Sequence, residues 1–240
     1  MTVVGFGPGS KEDMTFRAAD AIENADVVTG YTTYVDIIRE FFPDKTYKST
    51  GMMKEIDRCR MAVEDAMSGK NVAMISSGDS GIYGMAGIIY QIAEDMNADI
   101  DIVTVPGITA ASSAASLLGA PLMHDTALIS LSDLLTPFDL IMKRVDNAAM
   151  SDMVIVFYNP KSKKRTDHLE QAVQRILQHR SKDTPIGIAK NIGRKDESIT
   201  VTTLENIDYS MVDMFSTVVV GNSQTYISQG RMITPRGYRL

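Results

Sequence analysis

Four short segments hold most of the chemistry this chain can do, and all four are built from small residues. They are residues 5–10, 76–84, 106–110 and the tripeptide Tyr158-Asn159-Pro160. Such loops offer backbone N–H and C=O groups more than nucleophilic side chains, which suits a reaction driven by binding and orientation. Gly5-Phe6-Gly7-Pro8-Gly9-Ser10 follows a strand-like run and precedes a helical one. A Gly-rich turn at that place lets a ligand approach the backbone closely. Its spacing is not GxGxxG, since Ser10 stands at the last position, and Thr29-Gly30-Tyr31 offers no acid to hold a ribose. A dinucleotide site is therefore disfavoured. Gly69-Lys70-Asn71 lacks the preceding loop of a phosphate-binding P-loop.

Other side chains narrow the chemistry further. Gly78-Asp79-Ser80-Gly81 has the letters of a trypsin-like nucleophile segment, but no His precedes position 124 and the single cysteine permits no internal disulfide. That reading is rejected. His124, His168 and His179 are scattered; the last two are eleven residues apart on or near one helix. Without an HExxH pattern they read as a solvated face rather than a metal site. Lys161, Lys163, Lys164 and Arg165 cluster with no acid between them, and Arg231, Arg236 and Arg239 crowd the last ten residues.

The elements that must position these loops alternate. Strand-like runs at 2–6, 26–29, 71–76 and 101–105 are separated by helical periods at 15–24, 35–42, 53–68 and 85–96. Ile56, Cys59, Val63, Ala66 and Met67 mark one face of the third helix, with Cys59 a core residue. Strands separated by helices imply βαβ units and a mostly parallel sheet. An Ala/Ser-rich helix at 107–118 ends at Gly119-Ala120-Pro121, where we place the boundary between domains 1–120 and 121–240. The second domain reads as a strand at 127–130, a helix after Pro137, a strand at 153–158, a helix at 167–178, strands at 185–190 and 198–203, and a strand at 216–220. The turn-rich 191–197 suggests a hairpin and hence a mixed sheet. The fold class is α/β throughout, and no internal repeat stands out.

Charge divides along the same line. The whole chain carries a formal net charge of -6, but residues 1–120 hold 9 Lys/Arg against 17 Asp/Glu and residues 121–240 hold 15 against 13. An acidic total argues against coating nucleic acid or an anionic membrane, while leaving room for a local basic cleft. No apolar stretch reaches the length of a membrane span and no signal peptide is visible, so the expected setting is the cytoplasm. The absence of Trp beside 16 Met reads as flexible core filling.

Taken in order, Gly5-x-Gly7-Pro8-Gly9, Ala25-Asp26-Val27-Val28, Gly78-Asp79 and Pro106-Gly107-Ile108-Thr109-Ala110 resemble the tetrapyrrole (corrin/porphyrin) methyltransferases over essentially the whole chain. The segments 76–84, 129–137, Tyr158-Asn159-Pro160-Lys161-Ser162 and Thr234-Pro235-Arg236-Gly237-Tyr238 resemble the branch that methylates C17 of precorrin-3B or cobalt-factor III with ring contraction, in cobalamin biosynthesis. The resemblance implies two α/β domains with a cleft between them and S-adenosyl-L-methionine as cofactor, leaving S-adenosyl-L-homocysteine. It implies a polycarboxylate tetrapyrrole substrate, with cobalt only as part of that substrate, and a homodimer. By matching position, Pro8, Ser77, Gly78, Asp79, Ile82, Thr109, Ala110, Asn159 and Gly193 would line the cofactor. Asp79 is equally readable as an N-cap for the helix after Gly84, and Thr109 as an N-cap. Tyr83 is readable as core. Arg236, Lys161 and Lys163 would meet substrate carboxylates. No general base is identifiable; Asp133, Ser130, Ser132 and His124 are candidates for proton movements, with Asp133 alternatively capping the helix near Pro137. Ser80 departs from the family, which often has Pro there, and Tyr31 receives no base role. The residues alone leave open a same-fold methylase acting elsewhere on a corrinoid, on rRNA or on a protein, and a non-catalytic nucleoside or tetrapyrrole binder.

Overall fold

Val, Ile and Met runs in the first half become strands buried on both faces, because helices cover their sheet from either side. The computed structural model describes residues 1–239. It separates into two units, Met1–Ala110 and the chain from Ala111 onward. In the first unit β1 (Thr2–Gly5), β2 (Val27–Tyr31), β3 (Thr46–Thr50), β4 (Val72–Ser76) and β5 (Val103–Val105) form an all-parallel sheet in the order β3-β2-β4-β1-β5. Helices α1 (Phe16–Glu23) and α2 (Thr32–Phe41) lay Ala18, Ile22, Val35 and Ile38 on one face, against Val4, Val28, Ala73 and Ile75. Helices α3 (Glu55–Met67) and α4 (Ala86–Asp95) lay Cys59, Ala62, Val63, Ile89 and Ile92 on the other, against Val3, Val72 and Met74. α1 starts where expected because the Thr15 hydroxyl accepts from the Ala18 amide at 3.1 Å.

This arrangement places a site. Strands β1 and β4 are neighbours, yet α1 and α4, which follow them, leave to opposite faces. A crevice opens above the carboxyl ends of two such strands, where open α/β sheets bind ligands. Within α3 the buried face is narrower than expected: Cys59, Ala62, Val63 and Ala66 are buried, while Ile56 and Met67 are exposed. Burial pushes the Cys59 thiol up to about 11, which keeps it protonated and unreactive.

The second unit begins about ten residues before the expected break. Helix α5 (Ala110–Leu118) belongs with it because Ala111, Ala114 and Leu118 pack on Val154, Val156, Ala189, Val219 and Met232. Residues 111–120 carry no charge, so the charge split is unaffected. A mixed sheet runs β10 (Ser198–Thr203), β9 (Pro185–Lys190), β11 (Ser216–Val220), β8 (Val154–Tyr158), β7 (Thr126–Ser130). The expected hairpin forms, with β9 and β10 antiparallel from Ser198 against Lys190 to Thr203 against Pro185. Only β7 and β8 are a parallel pair in this sheet. Alternation along β8 sends Ile155 and Phe157 toward α6 (Phe138–Met150) and α7 (His168–Ile176), and Val154 and Val156 toward α5. A small third sheet joins β6 (Gly119–Ala120), β13 (Arg231–Ile233) and β12 (Tyr226–Ser228), with β6 parallel to β13.

Candidate functional site

In the first unit the glycines serve loop-to-loop contact before they serve any ligand. A Cβ on Gly7 would stand 2.3 Å from both the Gly78 Cα and the Ile108 carbonyl oxygen, and one on Gly107 would stand 2.2 Å from the Gly78 carbonyl oxygen. The loops after β1, β4 and β5 therefore pack backbone against backbone. The Phe6 amide donates to the Ser76 carbonyl at 3.0 Å and the Gly7 amide to the Gly78 carbonyl at 2.9 Å. Gly78 itself has φ +64, and a Cβ there would meet nothing nearer than 3.7 Å. The close approach read as an opening for a ligand is, at Gly5, Gly7 and Gly107, a junction between loops.

Asp79 completes that junction. Its Oδ1 accepts from the Gly81 amide at 2.8 Å and its Oδ2 from the Gly107 amide at 3.1 Å, so one carboxylate spans the β4 and β5 loops. It does not cap α4, which begins after Met85 without a side-chain cap. The Met85 amide donates instead to the Ser76 hydroxyl at 3.2 Å. Ser77, Gly78, Asp79 and Ile82 are half-buried along the turn, Pro8 is half-buried on the facing loop, and Thr109 and Ala110 open α5 beside Gly78. Tyr83 is exposed with φ 54, not a core residue. Tyr31 stacks edge-to-face on Tyr34 at 5.2 Å, at the N-terminus of α2.

The second unit gathers side chains at the carboxyl ends of its parallel pair. The Ser130 hydroxyl accepts from Asn159 Nδ2 at 3.1 Å and from the Ser132 amide at 3.2 Å, which ties the loops after β7 and β8 together. Asn159 holds φ 51, and its carbonyl accepts from Arg165 Nη1 at 3.3 Å. The same guanidinium donates to the Leu131 carbonyl at 2.9 Å, and its Nε lies 3.7 Å from Asp133 Oδ1. His168 Nε2 lies 3.1 Å from Asp133 Oδ2. Its Nδ1 lies 3.3 Å from Asp167 Oδ1, and its ring packs on Phe138 at 4.5 Å. The His168 ring is the largest influence holding the Asp133 carboxyl below the usual carboxylate range, with Arg165 a smaller one.

Sequence reading missed this cluster. His168, expected on a solvated face, has a side chain only 14% exposed. Asp133 does not cap α6, whose N-terminus at Pro137 has no side-chain cap. His124 is exposed at the start of β7, whereas Ser130, Ser132 and Asp133 stand at its far end. Lys161 donates to the Tyr209 carbonyl at 3.0 Å, while Lys163 and Arg236 are exposed. The Gly193 amide donates to Glu197 Oε2 at 2.7 Å, within the β9–β10 turn. Nothing in the sequence marked His168, since its partner Asp133 lies 35 positions away and the two meet only in the fold. Among the described residues no group of three or more His, Cys, Asp or Glu is placed to hold a metal ion, and no helix is long and apolar enough to cross a membrane.

Residues 1–208 match the family Tetrapyrrole (Corrin/Porphyrin) Methylases. The chain belongs to that family. Among tetrapyrrole methylases it is 50% identical over 240 residues, covering all of both chains, to a probable cobalt-factor III C(17)-methyltransferase of Salmonella typhimurium. It is 35% identical over 244 residues to a precorrin-3B C(17)-methyltransferase of a Sinorhizobium species, covering 98% of this chain and 96% of that one. The solved structure of the methyltransferase CobJ superposes with a TM-score of 0.91 at 35% identity, covering 98% of each chain. The family's two-domain α/β architecture is the one described above.

Proposed function

We propose that this tetrapyrrole methylase transfers the methyl group of S-adenosylmethionine to C17 of a corrin precursor in cobalamin biosynthesis, with contraction of the ring. The observation that carries this reading is the full-length 50% identity to a C17-methyltransferase of cobalt-factor III. The lower identity to the relative named for precorrin-3B favours the cobalt-bearing substrate over the cobalt-free one.

The first-unit loops fit the cofactor. At Gly78 an added Cβ would meet only ordinary van der Waals neighbours, the nearest 3.7 Å away, and the Asp79 carboxylate stays beside it in a half of the chain that is net acidic. A cationic sulfonium suits that setting. When bound, S-adenosylmethionine supplies an electrophilic methyl group. The residues of the chain bind and orient: Pro8, Ser77, Gly78, Ile82, Thr109 and Ala110 hold the ligand, and Asp79 fixes the loops that carry them. Oriented reactants can gain about 7–11 kcal/mol over free encounter, so alignment and exclusion of water account for much of the rate. Arg236 and Lys163 are exposed and meet the substrate carboxylates, with Arg236 forming the bidentate contact. Lys161, already bound to the Tyr209 carbonyl, positions its loop and reaches a carboxylate only with its remaining donors. The protein is expected to act in the cytoplasm as a homodimer.

Three measurements test the proposal. Calorimetry with S-adenosylhomocysteine should give a single saturable site, and no heat at high micromolar ligand would refute it. Incubation with methyl-labelled S-adenosylmethionine should label cobalt-factor III in preference to precorrin-3B, and the reverse preference would reassign the substrate. Arg236→Ala should weaken substrate binding about tenfold with cofactor affinity unchanged.

A further inference from the structure

We propose that Asp133 is the carboxylate that stabilises the charge developing on the substrate ring during methyl transfer, and that His168 and Arg165 are its positioning residues. The proposal rests on the methylase reading above. When a ring carbon takes the methyl group, its electron pair forms the new C–C bond and the sulfonium S–C bond breaks. The sulfur leaves as a neutral thioether, and the positive charge passes to the conjugated ring until a proton is lost to solvent. An ionised carboxylate fixed beside the ring lowers the energy of that cation without itself gaining a proton.

Asp133 is built for such a role in three ways. Each of its oxygens faces a cationic or polar nitrogen, His168 Nε2 at 3.1 Å and Arg165 Nε at 3.7 Å, yet its side chain remains 34% exposed. Arg165 is already anchored by the Leu131 and Asn159 carbonyls, so it holds the carboxylate rather than being held by it. His168 is braced from behind by Asp167, itself fixed by Gln171 Nε2 at 2.7 Å, and from the side by Phe138. The His168 ring first, and Arg165 to a smaller extent, hold the carboxyl below its ordinary range, which favours the ionised form that a fixed counter-charge requires.

The flanking residues point to a flat apolar ligand. Leu134 and Leu135 directly follow Asp133 and are 69% and 96% exposed, an apolar pair without cover in their own unit. A macrocycle laid over them would displace water from the carboxylate and strengthen its field.

Asp133→Asn keeps the shape and removes the charge. It should lower kcat about 100-fold, with the KM for cobalt-factor III and the affinity for S-adenosylhomocysteine unchanged. Asp133→Glu should recover part of that loss. His168→Asn should lower kcat about tenfold, and the double variant should be no slower than Asp133→Asn alone, because both act through one carboxylate. Wild-type kcat in folded Asp133→Asn, or a double variant slowed by the product of the single effects, would overturn the proposal. If the Asp133 variants do not fold, a folded His168→Asn protein with unchanged kcat overturns it instead. A wild-type protein that binds no S-adenosylhomocysteine would point to failure of the methylase reading, a different result.

Discussion

In the first unit three loops meet backbone to backbone, with Gly5, Gly7 and Gly107 leaving no space for a Cβ. In the second unit the loops meet through side chains, with Ser130 joined to Asn159, and Asp133 to Arg165 and His168. Both sets sit at the carboxyl ends of parallel strands, but they solve positioning differently. Backbone packing gives a shape that tolerates no substitution and offers N–H and C=O groups at fixed places. Side-chain networks place charge and can be altered one residue at a time.

The hardest test of the backbone side is Gly7→Ala. Its methyl group would meet the Gly78 Cα and the Ile108 carbonyl, neither of which can move aside, so the variant should lose more than about 3 kcal/mol of stability. Denaturant melts would measure this, and a stably folded variant with normal S-adenosylhomocysteine affinity would show that the junction is looser than described. The second unit has its own rigid point in Arg180, buried with donors to the carbonyls of Gly221 at 2.5 Å, Met153 at 2.5 Å and Ala148 at 3.2 Å. Arg180→Met should orphan those carbonyls and cost about 2–3 kcal/mol. Hydrogen exchange should place the loss in the second unit alone; equal loss of protection in the first would contradict it.

Asp79→Asn probes the one charged side chain in the glycine junction. An amide can accept from only one of the Gly81 and Gly107 amides, so stability should fall about 1 kcal/mol and S-adenosylhomocysteine affinity about tenfold. Unchanged affinity by calorimetry would remove Asp79 from the site. The smallest effect concerns Asp65, where burial alone would raise the carboxyl but hydrogen bonds from Lys48 and Lys70, each 2.5 Å long, outweigh it and hold the carboxyl below 3.8. A depressed carboxyl contributes stability that is present above its unfolded pKa and lost as pH falls through the folded one. Replacing both lysines by Met should therefore cost about 1 kcal/mol near pH 7, and the deficit should shrink in acid as the carboxyl takes up its proton. Urea melts at both ends would detect it, and a deficit independent of pH would rule out the titration.

Much of this was legible in the chain. The runs around Val3-Val4 and Val72-Ala73-Met74-Ile75 announce buried parallel strands because both faces of each are apolar. The strand Thr46–Thr50 is different: Thr-Tyr-Lys-Ser-Thr is a polar edge strand, and nothing in its composition separates it from a loop. The two- and three-residue strands of the third sheet are too short to carry a period. Glycine spacing located the loops after β1, β4 and β5 but not what Gly5, Gly7 and Gly107 pack against, since a sequence does not say whether a ligand or another loop occupies the missing Cβ. The Asp133 cluster was hidden because its members are more than thirty positions apart and meet only when β7 and β8 align.

The pairing of β6 with β13 has a consequence for how the chain is made. Gly119 pairs with Met232 and Ala120 with Ile233, and the Thr234 hydroxyl donates to the Pro121 carbonyl at 2.7 Å. Every strand of the first sheet is synthesised within the first 110 residues, so that unit can assemble while the ribosome is still working. Helix α5 emerges soon after, but the small sheet beside it stays incomplete until translation has passed residue 234. During that interval the cluster that Ala111, Ala114 and Leu118 share with Met232 is incomplete, and part of a nascent apolar surface stays uncovered.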